Sequence, residues 1–248
     1  MKKYNDLGIK AEQEIAHGKK LAEGSPDVIW GWKTPAGKLR AKRRAELIAA
    51  AAMLSPGKYV LEIGCGTGVF TELFAQKGAH IVAVDISGDL LALARKRNFP
   101  PEIKFLEKRF EDCAKIGPFD AIIGSSILHH LDIRPALATI FGLLKQRGRI
   151  SFAEPNMLNP QIVLQKNIPW LKRKMGDSQD ETAFFRWQMH KLLSETGFAE
   201  IKIHPFDWLH PQIPSPLTKS VEKVGLLLEK IPVVREFSGS LYISARKP

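Results

Sequence analysis

The sequence predicts an α/β fold: a mostly parallel sheet with helices on both faces. Three observations point there. Short apolar runs rich in valine and isoleucine alternate with longer segments of helical composition, the pattern of strands joined by helical crossovers. The first of these runs ends in a cluster of three glycines. The second ends in an acid, and parallel sheets of this kind bind their ligands beyond the carboxyl ends of the strands. At 248 residues the chain is long enough for one such domain with additions and too short for two ordinary enzymes.

The organising stretch is Val60-Leu61-Glu62-Ile63-Gly64-Cys65-Gly66-Thr67-Gly68. Val60, Leu61 and Ile63 read as a buried strand, the glycines as a tight turn, and Thr71 to Gln76 as the start of a helix. Glycine suits a sharp turn and a ligand that must lie against bare backbone. The helix start beyond it offers free N–H groups to an anionic group. A dinucleotide fingerprint needs G-x-G-x-x-G, but Val69 stands where its third glycine would fall.

The tighter G-x-G-x-G preceded by Glu62 resembles motif I of the class I S-adenosylmethionine-dependent methyltransferases, (D/E)-x-G-x-G-x-G. The resemblance implies a Rossmann-like, seven-stranded sheet with an antiparallel final strand. It also implies S-adenosyl-L-methionine as cofactor, S-adenosyl-L-homocysteine as product, and Glu62, Gly64, Cys65, Gly66 and Gly68 as the loop against the methionine part.

Taken in order, residues 1–36 form an N-terminal arm. Tyr4 to Glu23 has helical composition and leads to the aromatic turn Trp30-Gly31-Trp32, which either packs on the core or joins a lid over the cofactor or acceptor. Residues 37–156 form the cofactor-binding half. Lys38, Arg40, Lys42, Arg43 and Arg44 open a helix that turns apolar from Ala45 to Leu54, and read as a solvated face, with anion binding as the other reading.

His80 to Asp85 is the second strand. A carboxylate at its end can accept hydrogen bonds from both ribose hydroxyls of an adenosine, and the resembled family places its ribose acid there, so Asp85 is assigned to the cofactor. Ile86 would flank the adenine, and Ser87 caps the next helix. Ile103 to Leu106 is the third strand. Relatives often carry Asp-Ala just beyond it. Here Arg109-Phe110 holds that register, and Glu111 or Asp112 just beyond can supply the carboxylate for the adenine amino group, with Asp112 the favoured one and Phe110 stacking or packing.

Phe119 to Ser126 is the fourth strand, with Ser125 at the cofactor, and Ile127 to Leu131 runs from its tip. The string FDAIIGSSILHHLD resembles the fourth-strand region of small-molecule methyltransferases. It lacks the Asn/Asp-Pro-Pro-Tyr/Phe signature of enzymes acting on nucleobase amines. His129 and His130 are adjacent, and either neutral imidazole can take the proton of an acceptor hydroxyl or serve the structure alone.

Pro135 to Leu144 reads as a helix, and Gly148 to Asn156 as the fifth strand, with Glu154 and Asn156 lining the acceptor pocket or bracing its loop. Residues 157–248 form the acceptor-side half. An insertion with the basic triplet Lys172-Arg173-Lys174 precedes a helix from Thr182 to Glu195, a strand from Ala199 to Phe206 and a final strand from Ser240 to Ala245. A parallel sixth strand ends on the cofactor side, so residues 207–239 overhang the site as a cap. Within it, Leu217, Val221, Val224 and Leu228 share one face of a helix. That face packs on the domain, or contacts a lipid-like acceptor or an anionic membrane. Glu-Pro-Asn, Asp-Glu-Thr-Ala-Phe and Phe-Asp-Trp-Leu-His-Pro look similar to bacterial methyltransferases of the cell-envelope or polysaccharide type.

The 37 basic and 26 acidic residues leave a net charge of +11, which suits an acidic acceptor, an anionic membrane or nucleic acid. Cys65 and Cys113 are isolated, so neither a disulfide framework nor a zinc site is expected, and a cytoplasmic setting fits. No apolar run is long enough to span a bilayer, and the start lacks a signal-peptide core. The expected function is in-line methyl transfer to a small-molecule, sugar or lipid-like acceptor at oxygen, with no metal. The alternatives are RNA methylation, without an appended RNA module to support it, and a non-catalytic adenosine sensor. A nicotinamide oxidoreductase is set back by the glycine spacing.

Overall fold

The computed structural model describes residues 2–168, 170 and 183–248, with side chains from residue 11 onward. The chain runs α1 (Lys2–Ala22), α2 (Pro26–Ile29), α3 (Pro35–Ala51), β1 (Tyr59–Ile63), α4 (Val69–Ala75), β2 (His80–Asp85), α5 (Gly88–Ala94), β3 (Ile103–Glu107) and β4 (Phe119–Ser125). It continues through α6 (Ile133–Leu143), β5 (Leu144–Pro155), α7 (Pro160–Asn167), α8 (Arg186–Thr196), β6 (Ala199–Phe206), α9 (Thr218–Leu228), α10 (Pro232–Arg235) and β7 (Ser240–Arg246).

The strands form one seven-stranded sheet in the order β3-β2-β1-β4-β5-β7-β6. β1 pairs in parallel with both β2 and β4, and β7 runs antiparallel to β5 and β6, as expected. The chain starts at the centre, winds out to β3 and returns to β4. Strand order therefore reverses between β1 and β4, the place where such sheets open a crevice.

Side chains alternate across the strands and divide the core into two layers. Leu61, Ile63, Val82 and Ile122 face α6 and α8 through Leu137, Ile140, Met189 and Leu193. Val60, Ile81, Ala83 and Ile123 face the other way, onto Ile48 of α3, Phe74 of α4 and Leu91 of α5. Helix starts follow the capping rules. The side chains of Thr34, Ser87 and Asn159 accept from Gly37, Leu90 and Ile162, and proline follows Thr34 and Asn159.

Three expectations change. The helix expected from Thr182 begins at Arg186, because Phe184 is extended and bridges Asn156, while Thr182 and the triplet Lys172-Arg173-Lys174 lie outside the described residues. The arginines of α3 are not a solvated face: Arg44 is buried and Arg40 and Arg43 pair with Asp207 and Glu229, leaving Lys38 and Lys42 to water. On α9, Leu217 and Val224 are exposed. The packed face is Thr218, Val221, Gly225 and Leu228, set by the close approach of Gly225 to Trp208, where a Cβ would sit 2.9 Å from the Trp208 Cβ.

Candidate active site

A cavity of about 590 Å³ opens at the carboxyl ends of β1, β2 and β4, within the size range of small-molecule sites. Its floor is the glycine loop. The Gly64 and Cys65 N–H groups donate to the Val84 carbonyl at 2.9 and 3.1 Å and pin the turn against β2. Gly64 has φ +66°, and a Cβ there would lie 2.4 Å from Ile127. Gly66 has φ +51° and lies beneath Trp30, whose indole would touch a Cβ there at 3.6 Å.

Asp85 links the loop to the next helix. Its Oδ2 accepts from the Gly66 N–H at 2.8 Å and its Oδ1 from the Ser87 N–H at 2.9 Å. Each carboxylate oxygen has a second acceptor site, so the ligand-facing capacity survives these bonds. Burial pushes the Asp85 carboxyl up, against the two N–H groups that hold it down. Asp85 and Ile86 both line the cavity.

The arm is clamped over this floor by residues the sequence did not single out. Asp27 of α2 accepts from the Thr67 hydroxyl at 2.6 Å and from Arg97 at 2.6 Å, and Arg97 also donates to the Thr67 carbonyl at 2.8 Å. Trp30 and Trp32 therefore line the cavity, and Trp32 also packs edge-on against Phe70, with ring centroids 5.2 Å apart. The tryptophans pack and cover at once.

Not every loop residue reaches the cavity. Cys65 does, but burial pushes its thiol well above the usual range, which makes it a poor nucleophile. Glu62 lies behind the loop, where burial pushes its carboxyl up to about 8, with Asp85 adding and Thr71 opposing. Gly68 serves packing: it caps α4 at φ +77°, and a Cβ there would lie 3.2 Å from Ala94. Beyond β3, Lys108, Arg109, Phe110 and Glu111 line the cavity. Asp112 does not. It sits on the outer side of the 3₁₀ turn Phe110–Lys115, exposed to solvent, which corrects the expectation for that acid.

At the tip of β4, Ser125 lines the cavity beside Ser126. Both hydroxyls accept from Arg44, at 3.3 and 3.0 Å, and Arg44 also donates to Ser240 at 2.5 Å and meets Asp207 at 3.5 Å. Arg40 bonds the same Asp207 oxygen at 2.9 Å. Burial brings Arg44 down to about 10, so it stays charged at neutral pH, and its Nε has no partner among the described residues. Two arginines against one aspartate leave positive charge at this end. A signal was present: Ala41, Arg44, Ala45 and Ile48 fall at helical spacing, so the period that buries the alanines also buries Arg44.

The two histidines part company. His129 is buried, lines the cavity, and places Nδ1 2.7 Å from Glu154 Oε2. The other oxygen of Glu154 accepts from the Ile127 and Leu128 N–H groups, both at 3.0 Å. Burial raises the Glu154 pKa, but the His129 hydrogen bond and charge, with those N–H groups, outweigh it and lower the value overall. An ionised carboxylate on Nδ1 fixes the tautomer in which Nε2 is the basic nitrogen. His130 also lines the cavity, its ring centroid 4.3 Å from that of His129, but its Nδ1 lies 3.2 Å from Glu14 of α1. Asn156 braces the loop, donating to the Glu236 and Ser238 carbonyls at 2.8 Å.

Comparisons with known proteins find relatives for this chain. Residues 60–148 match the methyltransferase domain family. The chain is 31% identical over 130 residues to the ubiquinone biosynthesis O-methyltransferase of Xylella fastidiosa, covering 48% of this chain and 52% of that protein. It is 24% identical over 168 residues to nodulation protein S of Rhizobium tropici, covering 63% and 68%. The chain thus spans about half the length of the first of these curated relatives. The crystal structure of N-methyltransferase NodS from Bradyrhizobium japonicum, in complex with S-adenosyl-L-homocysteine, superposes with a TM-score of 0.56 at 16% identity, covering 87% of this chain and 89% of that one, and shares the fold. The matched segment, residues 60–148, is thus a methyltransferase domain that carries the glycine loop and Asp85, and the chain is similar to the class I S-adenosylmethionine-dependent methyltransferases.

Proposed function

We propose that the chain methylates a hydroxyl oxygen of a small-molecule, sugar or lipid-like acceptor. The observation that carries this reading is the His129–Glu154 pair: a buried imidazole in the cavity wall, held at 2.7 Å by a carboxylate that is itself held by two backbone N–H groups. An attacking hydroxyl must shed its proton, whereas a neutral amine attacks with its own lone pair. A positioned base therefore favours oxygen. The matched O-methyltransferase supports the same atom by its name.

The residues present fit the cofactor. Asp85 retains acceptor capacity for ribose hydroxyls, Gly66 presents bare backbone beneath Trp30, and Ile86 and Phe110 supply apolar flanks. When bound, S-adenosylmethionine supplies an activated methyl group, so the chain needs orientation and a base rather than a covalent nucleophile. His129 Nε2 takes the acceptor proton, and Glu154 stabilises the imidazolium that results. α1, the tryptophan turn and the stretch from Trp208 to Gln212 wall the cavity and exclude water. The indole N–H of Trp208 is buried with no partner among the described residues, a donor suited to an acceptor oxygen.

The test is to incubate the protein with S-adenosylmethionine and panels of phenols, hydroxylated lipids and sugars, and to measure S-adenosylhomocysteine release. We expect a methyl ether product, and a loss of turnover of roughly a hundred- to ten-thousandfold in His129→Ala with cofactor affinity retained. A methylated nitrogen formed at an unchanged rate by His129→Ala would overturn the reading.

A further inference from the structure

We propose that the outward face of α9 and α10 is a docking surface for an anionic lipid bilayer. The packed face of α9 is taken by Thr218, Val221, Gly225 and Leu228. What remains outside is an apolar stripe at helical spacing: Val224 (54% exposed), Leu227 (59%) and Ile231 (47%), preceded by Leu217 and continued by Val233 on α10. Isolated exposed leucines need no explanation, but a contiguous stripe marks an interaction surface.

Charge on these helices is segregated by face. Lys219, Lys223 and Lys230 are exposed and form a row beside the stripe. The two acids of the segment turn the other way. Glu229 is held by Arg43 at 2.7 Å and by the Asp207 N–H at 2.9 Å, and Glu222 lies close enough to help keep Arg43 charged. The outward arc of α9 is therefore apolar and cationic, with its carboxylates spent on the interior. This is the composition of a helix lying in a membrane interface, its apolar side in the acyl boundary and its lysines at anionic headgroups. A second copy of the chain is a poorer occupant, because a twofold contact through this face would bring the lysine rows of both copies together. The net charge of +11 acts in the same direction over longer range.

The surface is one layer from the cavity. Gly225 rests against Trp208, and Trp208, Leu209 and His210 line the cavity wall. Docking would therefore place the acceptor end of the site beside the bilayer. The inference stands apart from the methyl-transfer reading, since it rests on the outside of the cap.

The experiment is co-sedimentation of the full chain with vesicles of phosphatidylcholine alone or mixed with phosphatidylglycerol, at about 0.1 M salt, where surface charges still act across a Debye length. We expect sedimentation with the mixed vesicles, weakening as salt rises, and little with phosphatidylcholine alone. The double variant Val224→Glu with Leu227→Glu should abolish it. The triple variant Lys219→Glu, Lys223→Glu, Lys230→Glu should lower partitioning about a hundredfold or more, at roughly fivefold for each lysine lost. Thermal melts and cofactor titration of each variant report folding, and the exposed lysine set carries the test if the double variant fails to fold. Wild-type protein left in the supernatant would overturn the proposal, as would a charge-reversed variant that sediments like wild type. A dimer in gel filtration that Leu227→Glu dissolves, with no vesicle binding, would assign the surface to self-association instead.

Discussion

The two ends of the cavity are built by opposite means. At the end proposed for the cofactor the groups are close together in sequence: the turn at Gly64 and Gly66, and an acid one strand later whose oxygens are fixed by the Gly66 and Ser87 N–H groups. At the acceptor end they are side chains brought from far apart. Arg44 meets Ser125, Asp207 and Ser240, partners 81, 163 and 196 residues away. A backbone site tolerates little change in residue type, because sterics and φ demand it. A side-chain network can be rewritten pair by pair, which makes it the natural place for acceptor specificity to reside.

That contrast can be broken or sharpened by substitution. The largest effect should come from Glu154→Gln, which keeps the shape of the pair but removes the charge that orients His129 and supports its imidazolium. We expect turnover to fall by roughly a hundred- to ten-thousandfold, with cofactor affinity unchanged by calorimetry. Asp85→Ala should be nearly as costly, but in affinity. It removes the ribose acceptors and strands two N–H groups, and we expect about a hundredfold weaker cofactor binding in a folded protein. Next is Arg44→Leu. It breaks a buried charge network and should cost about 3 kcal/mol of stability in denaturant unfolding.

A different kind of effect should appear as a pH dependence. The Glu62 carboxyl is pushed up to about 8 from its ordinary 4.5, so the folded chain binds this proton more tightly than the unfolded chain. Its contribution to stability is present in full below pH 4.5 and is lost as pH rises toward 8. Thermal melts of Glu62→Gln should lose that slope, and an unchanged slope would remove Glu62 as its source. The smallest effect is the sharpest on placement: Asp112→Ala, at an exposed site outside the cavity, should leave cofactor affinity as it is, while Glu111→Ala lowers it a few fold.

The legible part of the molecule follows the same division. The strands His80–Asp85 and Ala199–Phe206 and the loop between β1 and α4 are legible because a continuous apolar run, an alternating one and glycine spacing are local signals. The expectation for Asp112 fails because a 3₁₀ turn decides which of two neighbouring acids faces the cavity, and no local pattern encodes that rotation. The exposed stripe of α9 was misassigned because a single close approach at Gly225 chose the packed face over the more apolar one. Arg44 was read as solvated although its helical period places it with Ala41 and Ile48. Its buried partners arrive too late in the chain to be paired by inspection. His129 and His130 are indistinguishable in sequence, since their partners, Glu154 on β5 and Glu14 on α1, are distant in the chain.

The most direct measurement is calorimetric titration of the purified protein and Asp85→Ala with S-adenosylmethionine, S-adenosylhomocysteine and NAD. We expect micromolar binding of the first two to wild type, no binding of NAD, and a clear weakening in the variant. Binding of NAD alone, or equal binding of S-adenosylmethionine by folded Asp85→Ala, would contradict the assignment of the glycine-loop cavity as the cofactor site.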